Sequence, residues 1–207
     1  MIKNLKVKRL GLQDYKKTWA SMMNTVLSKS EDDQDEVWLL EHPPVFTLGL
    51  GGKEQHIISP GNIPVVRSDR GGQATYHGPG QLVVYFMLNL RRLGWGPKRL
   101  INELEELIIN LFQEYGIKSS RILGAPGVYV EGDKIASIGL KIKRGFSYHG
   151  ISLNIDMDLD PFLRINPCGY EALKVTQLSN FKQITFQEVQ SRLEAELLSP
   201  PSPSTAS

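Results

Sequence analysis

Cysteine is almost missing from this chain: Cys168 is the only one in 207 residues. A single thiol cannot close an internal disulfide, which argues against a disulfide-built secreted domain. Long apolar runs are missing too, and none approaches the ~18 residues of a membrane span. The opening MIKNLKVKRLGLQDY has no apolar stretch of the secretory-signal kind, so a cytoplasmic protein away from membranes is expected. Neither sign of charge dominates. The 24 basic and 22 acidic side chains leave a net charge of +2, too balanced for nucleic-acid binding through bulk charge. His42, His56, His77 and His149 show neither the close pairing nor the supporting carboxylates of a zinc site, so no metal is expected. There is no internal repeat and no sustained heptad pattern, which leaves a monomer as the default.

What is present is ordinary globular material. Apolar residues make up 41% and charged residues 22%, enough for one domain with a real core. Residues 11–28 read as an amphipathic helix with Leu12, Tyr15, Trp19, Met22 and Val26 inward, followed by an acidic, solvated loop EDDQDE at 31–36. VWLL at 37–40 and VFTL at 45–48 read as short strands. QLVVYFML at 81–88 is apolar on both faces and reads as a central strand. Residues 97–115 form the clearest helix, with Pro97 in its first turn, Leu100, Leu104, Leu107, Leu111 and Tyr115 inward, and Gly116 at its end. GVYVE, a turn at Gly132-Asp133 and KIASIGLKIK predict a hairpin, with FSYHGISLNI beside it. A last helix starts at Thr185, with Glu188 completing a capping box and Phe186, Val189, Leu193 and Leu197 inward. Residues 1–198 are expected to form the domain. SPPSPSTAS, ending at 207, is too poor in apolar groups to fold. Strands and helices mix without strict alternation, which predicts an α+β fold.

Three places could carry chemistry. RGGQATYHGPGQ, residues 70–81, packs four glycines among Arg70, Thr75, Tyr76 and His77; it fits neither phosphate-loop spacing, and reads as a ligand-binding loop or as a structural turn. In KIASIGLKIK, alternation puts Lys134 on one face with Ala136, Ile138, Leu140 and Ile142. A lysine on an apolar face is desolvated and suited to act as a base, or it snorkels from the strand end into water; a bulge would reverse the faces. Cys168 lies in INPCGY between a proline and a glycine, on a shaped turn, as either an inert or a reactive thiol. Lys141, Lys143 and Arg144, with Arg91, Arg92, Lys98 and Arg99, form basic clusters: solvated surface, or a docking patch for a small acidic protein.

Taken together, HPPVFTLG, RGGQATYHGPGQ, GAPGVYV, KIASIGLKI, YHGISLNI and PFLRINPCGY resemble the octanoyltransferase family, lipoate biosynthesis protein B, over roughly residues 10–180. The resemblance implies a single domain of the biotin/lipoate protein ligase fold, a mixed and mainly antiparallel sheet flanked by helices. It implies transfer of an octanoyl group from acyl carrier protein to a lysine of lipoyl domains, those of 2-oxo acid dehydrogenase complexes and of the glycine cleavage H protein. By that resemblance Cys168 carries the acyl thioester and Lys134 activates it. The acyl-binding segments fall on Arg70, Gly71, Gly72, Gln73, Ala74, Thr75, Tyr76 and His77, on Ser137, Ile138 and Gly139, and on Gly150, Ile151 and Ser152. His149 is a possible support, and Tyr76 and Leu82, with apolar residues around 135–140, are candidate walls of the acyl slot. No cofactor is expected, because passing a thioester to an amide runs downhill without ATP or metal. Two alternatives compete: an ATP-dependent lipoate or biotin protein ligase, and a non-catalytic module that binds lipoyl or carrier domains.

Overall fold

Asp14 decides where the first helix begins. Its carboxylate accepts from the Lys17 N–H at 2.9 Å, so α1 runs Tyr15–Ser28 with Tyr15, Met22 and Val26 buried. Leu12, placed in the helical stripe by periodicity, instead ends strand β1 (Leu5–Leu12) and is exposed. This computed structural model describes residues 5–166 and 174–199; Cys168, its flanking residues and the tail from 200 to 207 lie outside them.

The remaining strands are β2 (Asp35–Glu41), β3 (Val45–Leu48), β4 (Val65–Arg67), β5 (Ala74–His77), β6 (Gln81–Met87), β7 (Gly127–Val130), β8 (Asp133–Lys143) and β9 (Phe146–Asn154). The helices after α1 are α2 (Leu90–Leu93), α3 (Pro97–Glu114) and α4 (Phe186–Leu198). Six strands form one sheet in the order β1-β2-β6-β9-β8-β7, antiparallel except for the parallel pair β1 and β2. A second sheet, β4-β3-β5, lies beside it. Strand β6 is interior to the larger sheet and buried throughout, as its apolar run predicts. Alternate residues serve opposite layers: Val83, Tyr85 and Met87 pack with Met22 and Val26 of α1, while Leu82, Val84 and Phe86 pack with the α3 and α4 side.

Helix α3 turns its inner face slightly from the expected stripe: Ile108 and Phe112 are fully buried, and Leu107 is only partly so. Thr185 caps α4, and the Thr185–Glu188 capping box forms in both directions. The acidic stretch at 31–36 is not all solvated loop. Asp35 opens β2 and is fully buried, where it accepts from the Asn89 N–H (2.7 Å) and pairs with Arg92 (2.8 Å). The hairpin of β7 and β8 turns at Glu131-Gly132 (φ 53° and 91°), one residue before the pair suggested by composition, because the strand twist demands two left-handed residues there. Arg144-Gly145 (φ 55° and 88°) makes the same kind of turn between β8 and β9.

Candidate active site

The loop 70–73 is a clamp built around a buried arginine. Arg70 donates from Nε to Thr47 Oγ1 (3.1 Å), from Nη2 to the Thr47 and Gln73 carbonyls (2.7 and 2.8 Å), and from Nη1 to the Gly71 carbonyl (2.9 Å). A planar fork of five donors reaches carbonyls on several sides from one rigid plane, where a lysine offers a single point of charge. Backbone bonds from Gly49, Leu50 and Gly51 to Gln73, Arg70 and Gly72 hold the loop on the end of β3, and Gly71 N–H donates to the Leu140 carbonyl of β8 (2.8 Å). Gly139 makes that approach possible: a Cβ there would stand 3.1 Å from both the Gly71 carbonyl and Arg70 Cδ.

Beneath the clamp, between the two sheets, lies a narrow slot of about 50 Å³. It is lined by the clamp and β5, by Ser137, Ile138 and Gly139 of β8, by Gly150, Ile151 and Ser152 of β9, by Val83 and Tyr85 of β6, and by Tyr15, His77 and His149. Beyond Gly72, Gln73, Ile138 and Gly139, which border both spaces, a wider cleft of about 560 Å³ opens toward Pro97, Ile101 and Tyr129. The three segments expected to bind an acyl group therefore converge. Gly71 lines the cleft rather than the slot. Tyr76 lines neither, because its ring packs on Phe46 and Phe162 in a separate cluster; Leu82 points into the main core. Lys141 is the one member of the basic clusters on the cleft wall; Arg91, Arg92 and Arg99 are engaged with Glu31, Asp35 and Glu103.

Lys134 lines the cleft and is only 3% exposed, so it does not snorkel. Its Nζ donates to the Pro126 carbonyl (3.1 Å) and stands 5.2 Å from the centre of the Tyr129 ring. A bulge places it: Val128 pairs with Ala136 but Tyr129 with Lys134, so Ile135 is an extra residue, and both Ile135 and Ala136 enter the core. Buried Glu105 of α3 accepts from the Gly127 N–H (2.9 Å) and pairs with Arg121 (3.1 Å), fixing the peptide whose carbonyl receives Lys134. The backbone of Lys134 is also bonded to the segment that re-enters at residue 174, donating to the Lys174 carbonyl (3.0 Å) and accepting from the Thr176 N–H (2.9 Å).

A layer of rings that the sequence did not announce closes the slot at its inner side. His42 donates from Nδ1 to the Gln13 carbonyl (2.6 Å) and accepts at Nε2 from the Tyr85 hydroxyl (2.7 Å). His77 bonds Gln81 through Nδ1 (2.7 Å), and Tyr15 donates to Ser68 Oγ (2.8 Å). His149 has φ 62°, a left-handed conformation that puts its ring beside that of the preceding Tyr148 (5.0 Å between centres). Both reach Asp69: His149 through Nε2 at 2.9 Å, and Tyr148 through its hydroxyl. Burial drives His42 down to about 4, His77 well below the usual imidazole range, and His149 down despite Asp69. Burial pushes Asp69 the other way, but the bonds from His149 and Tyr148 outweigh it and hold the carboxyl at about 2. These imidazoles are therefore neutral at neutral pH. The signal that could have revealed them was the position of His42 and His77 inside or beside apolar strands.

A mixed, mainly antiparallel sheet flanked by helices is an architecture shared with ligases of lipoate and biotin. The chain superposes on lipoate-protein ligase A bound with ATP at TM-score 0.74 (15% identity, 96% of this chain and 86% of that one). A lipoate protein ligase from Thermoplasma acidophilum gives 0.70 (14% identity, 93% and 83%). The biotin protein ligase of Aquifex aeolicus gives 0.54 (13% identity, 95% and 68%). The model of the lipoyl protein ligase A/B catalytic domain matches residues 14–198. Similar proteins named octanoyltransferase include those of Pseudomonas savastanoi pv. phaseolicola (55% identical over 91% of this chain and 87% of the relative) and Vibrio campbellii (56% over 84% and 80%). The chain belongs to the lipoyl protein ligase A/B catalytic-domain family, within its octanoyltransferase branch.

Proposed function

We propose that the protein transfers an octanoyl group from acyl carrier protein to the lysine of a lipoyl domain, through a thioester on Cys168. The observation that carries this reading is the joining of a narrow slot to a cleft walled by a buried lysine. A narrow slot closed in by rings suits an acyl tail; a cleft with an amine at its wall suits the reacting carbonyl. The described chain resumes at Lys174, six residues after Cys168, with its carbonyl bonded to the Lys134 N–H, which supports this reading.

The chemistry then runs in two halves. Lys134 takes the Cys168 thiol proton as sulfur attacks the donor thioester, and returns it to the departing carrier thiol. The acyl group rests on Cys168. The acceptor lysine gives up a proton to Lys134 and attacks the new thioester, forming the amide and releasing the thiol. Each step exchanges one acyl bond for another, so neither ATP nor a metal is required. Acceptors of the lipoyl-domain class fit the branch to which the chain belongs, and the protein acts as a monomer in the cytoplasm. Among the described residues no helix is long and apolar enough to cross a membrane.

Octanoyl-acyl carrier protein, incubated with the protein without ATP, is expected to add the mass of one octanoyl group that hydroxylamine removes. Cys168→Ser should abolish the adduct. Acylation of a lipoyl domain that depends absolutely on ATP would instead identify a ligase, and binding with neither adduct nor turnover would identify a recognition module.

A further inference from the structure

Four rings from four different elements meet at the inner side of the slot: Tyr15 of α1, His77 of β5, Tyr85 of β6 and His149 of β9. Tyr15 and His77 stack at 5.8 Å between centres, and Tyr85 meets His149 edge-on at 6.0 Å. All four are nearly inaccessible to solvent. Each is also tethered by its own polar atom, to Ser68, Gln81, His42 and Asp69 respectively. A ring packed and tethered in this way cannot swing aside at small cost, so the four make a rigid plate.

The plate belongs to the slot alone. None of its members lines the cleft, and Lys134 lines the cleft but not the slot. An acyl group whose carbonyl sits by Lys134 and whose tail enters the slot therefore directs its far end at the plate. From Gly139 on β8 across β9 to Tyr85 on β6 is two strand spacings, roughly 10 Å, the scale of a medium-length acyl chain. Along that path an added methylene meets Val83, Ile138 and Ile151 and bare glycine backbone, with Ser137 and Ser152 among them. At the plate it finds a phenol, an imidazole and, on His149, a buried Nδ1 with no hydrogen-bond partner among the described residues. That atom is already out of water, so an apolar tail gains nothing from it, and the packed, tethered rings around it give way only at the cost of their own contacts.

We propose that this plate is the stop that sets acyl chain length, with His149 as its specificity-determining residue. The proposal rests on the acyl-transfer reading above. Below the stop, kcat/KM should rise by about fourfold per methylene, the value of burying each one. Past the stop it should fall.

The test measures kcat/KM for hexanoyl, octanoyl, decanoyl, dodecanoyl and tetradecanoyl thioesters of acyl carrier protein with the full-length protein. The wild type should rise to a maximum at medium length and drop at least about tenfold within the next two even-numbered chains. His149→Gly accepts the left-handed backbone without strain and removes the ring; it should move the maximum to a longer chain and raise the decanoyl-to-octanoyl ratio about tenfold or more. His149→Asn keeps a small polar group that tolerates the same backbone and should shift the ratio in the same direction by less. An equal rate for tetradecanoyl and octanoyl in the wild type, or an unchanged ratio in active variants, overturns the length stop and leaves acyl transfer standing. Failure of the wild type to take up an acyl group of any length overturns acyl transfer itself, and the stop with it.

Discussion

Lys134 is held by a carbonyl and a ring, and its stem fills the wall between cleft and core. Lys134→Met keeps the stem and removes the amine. Thioester formation, followed by mass spectrometry in single turnovers, should slow by about 10²–10⁴-fold, the usual weight of a general base, while the fold survives. The buried histidines make a separate prediction in pH. A free imidazole titrates near 6.5, whereas His42 in the folded protein titrates at about 4, with His77 and His149 shifted in the same direction. The unfolded chain therefore binds protons first. Stability should be full above pH ~6.5 and fall as the pH drops toward ~4, by about 3 kcal/mol from His42 alone. Urea midpoints taken across that window check it; a flat profile would remove the histidine account. At this scale the sequence was partly readable. Lys134 stood out as the polar member of an apolar face, but the bulge that places it, and the burial that keeps the histidines neutral, depend on partners distant in the chain.

Elements were legible wherever local chemistry decides them. Pro97 at the start of α3, the Thr185–Glu188 box of α4 and the doubly apolar β6 follow from short-range rules, and all three formed as written. β1 was not read, because its alternating lysines resemble a solvated leader until β2 lies beside it; likewise Asp35 looks like loop until Asn89 and Arg92 reach it. The hairpin turn was misplaced by one residue because composition pointed to Gly132-Asp133, while handedness required Glu131-Gly132. That turn carries a cost: a non-glycine residue at φ 53° is disfavoured by about 1–2 kcal/mol unless its side chain is a short polar one. Glu131→Asn should recover part of it and raise the melting temperature by about 2–4 °C for a chain of this size. Calorimetry checks the sign, and a lower melting temperature would show that Glu131 has a role beyond the turn.

At the scale of the molecule the six-stranded sheet serves two jobs, with α3 and α4 building the core on one face and α1 and the small sheet enclosing the slot on the other. Helix α4 joins that core late in the chain. Val189 and Leu193 are fully buried in it, and Arg192 pairs with Glu114 of α3 while Arg9 of β1 pairs with Glu194. Ending the chain before Thr185 removes two buried apolar side chains, Val189 and Leu193, worth about 1.5–3 kcal/mol each, set against a total stability of about 5–15 kcal/mol. The truncated protein is expected to lose cooperative unfolding by circular dichroism even though every described wall of the slot is retained. The fold class was legible from the mixture of elements; the enclosure of a slot between two sheets was not, since it needs residues 15, 70–77, 83–85 and 137–152 to arrive together.

Slot and cleft meet along Gly72, Gln73, Ile138 and Gly139, which line both. Two of these four have no side chain, and Arg70 pins the loop that carries Gly72. Main chain has no rotamers, so half of this gate cannot step aside for an arriving guest. A straight hydrocarbon threads it end-on like a cord through an eyelet, whereas a methyl branch midway along the chain would meet peptide groups fixed by two sheets. A thioester branched midway along its acyl chain is therefore expected to transfer more slowly than the straight one, and kcat/KM for the pair, measured side by side, checks whether the frame itself discriminates.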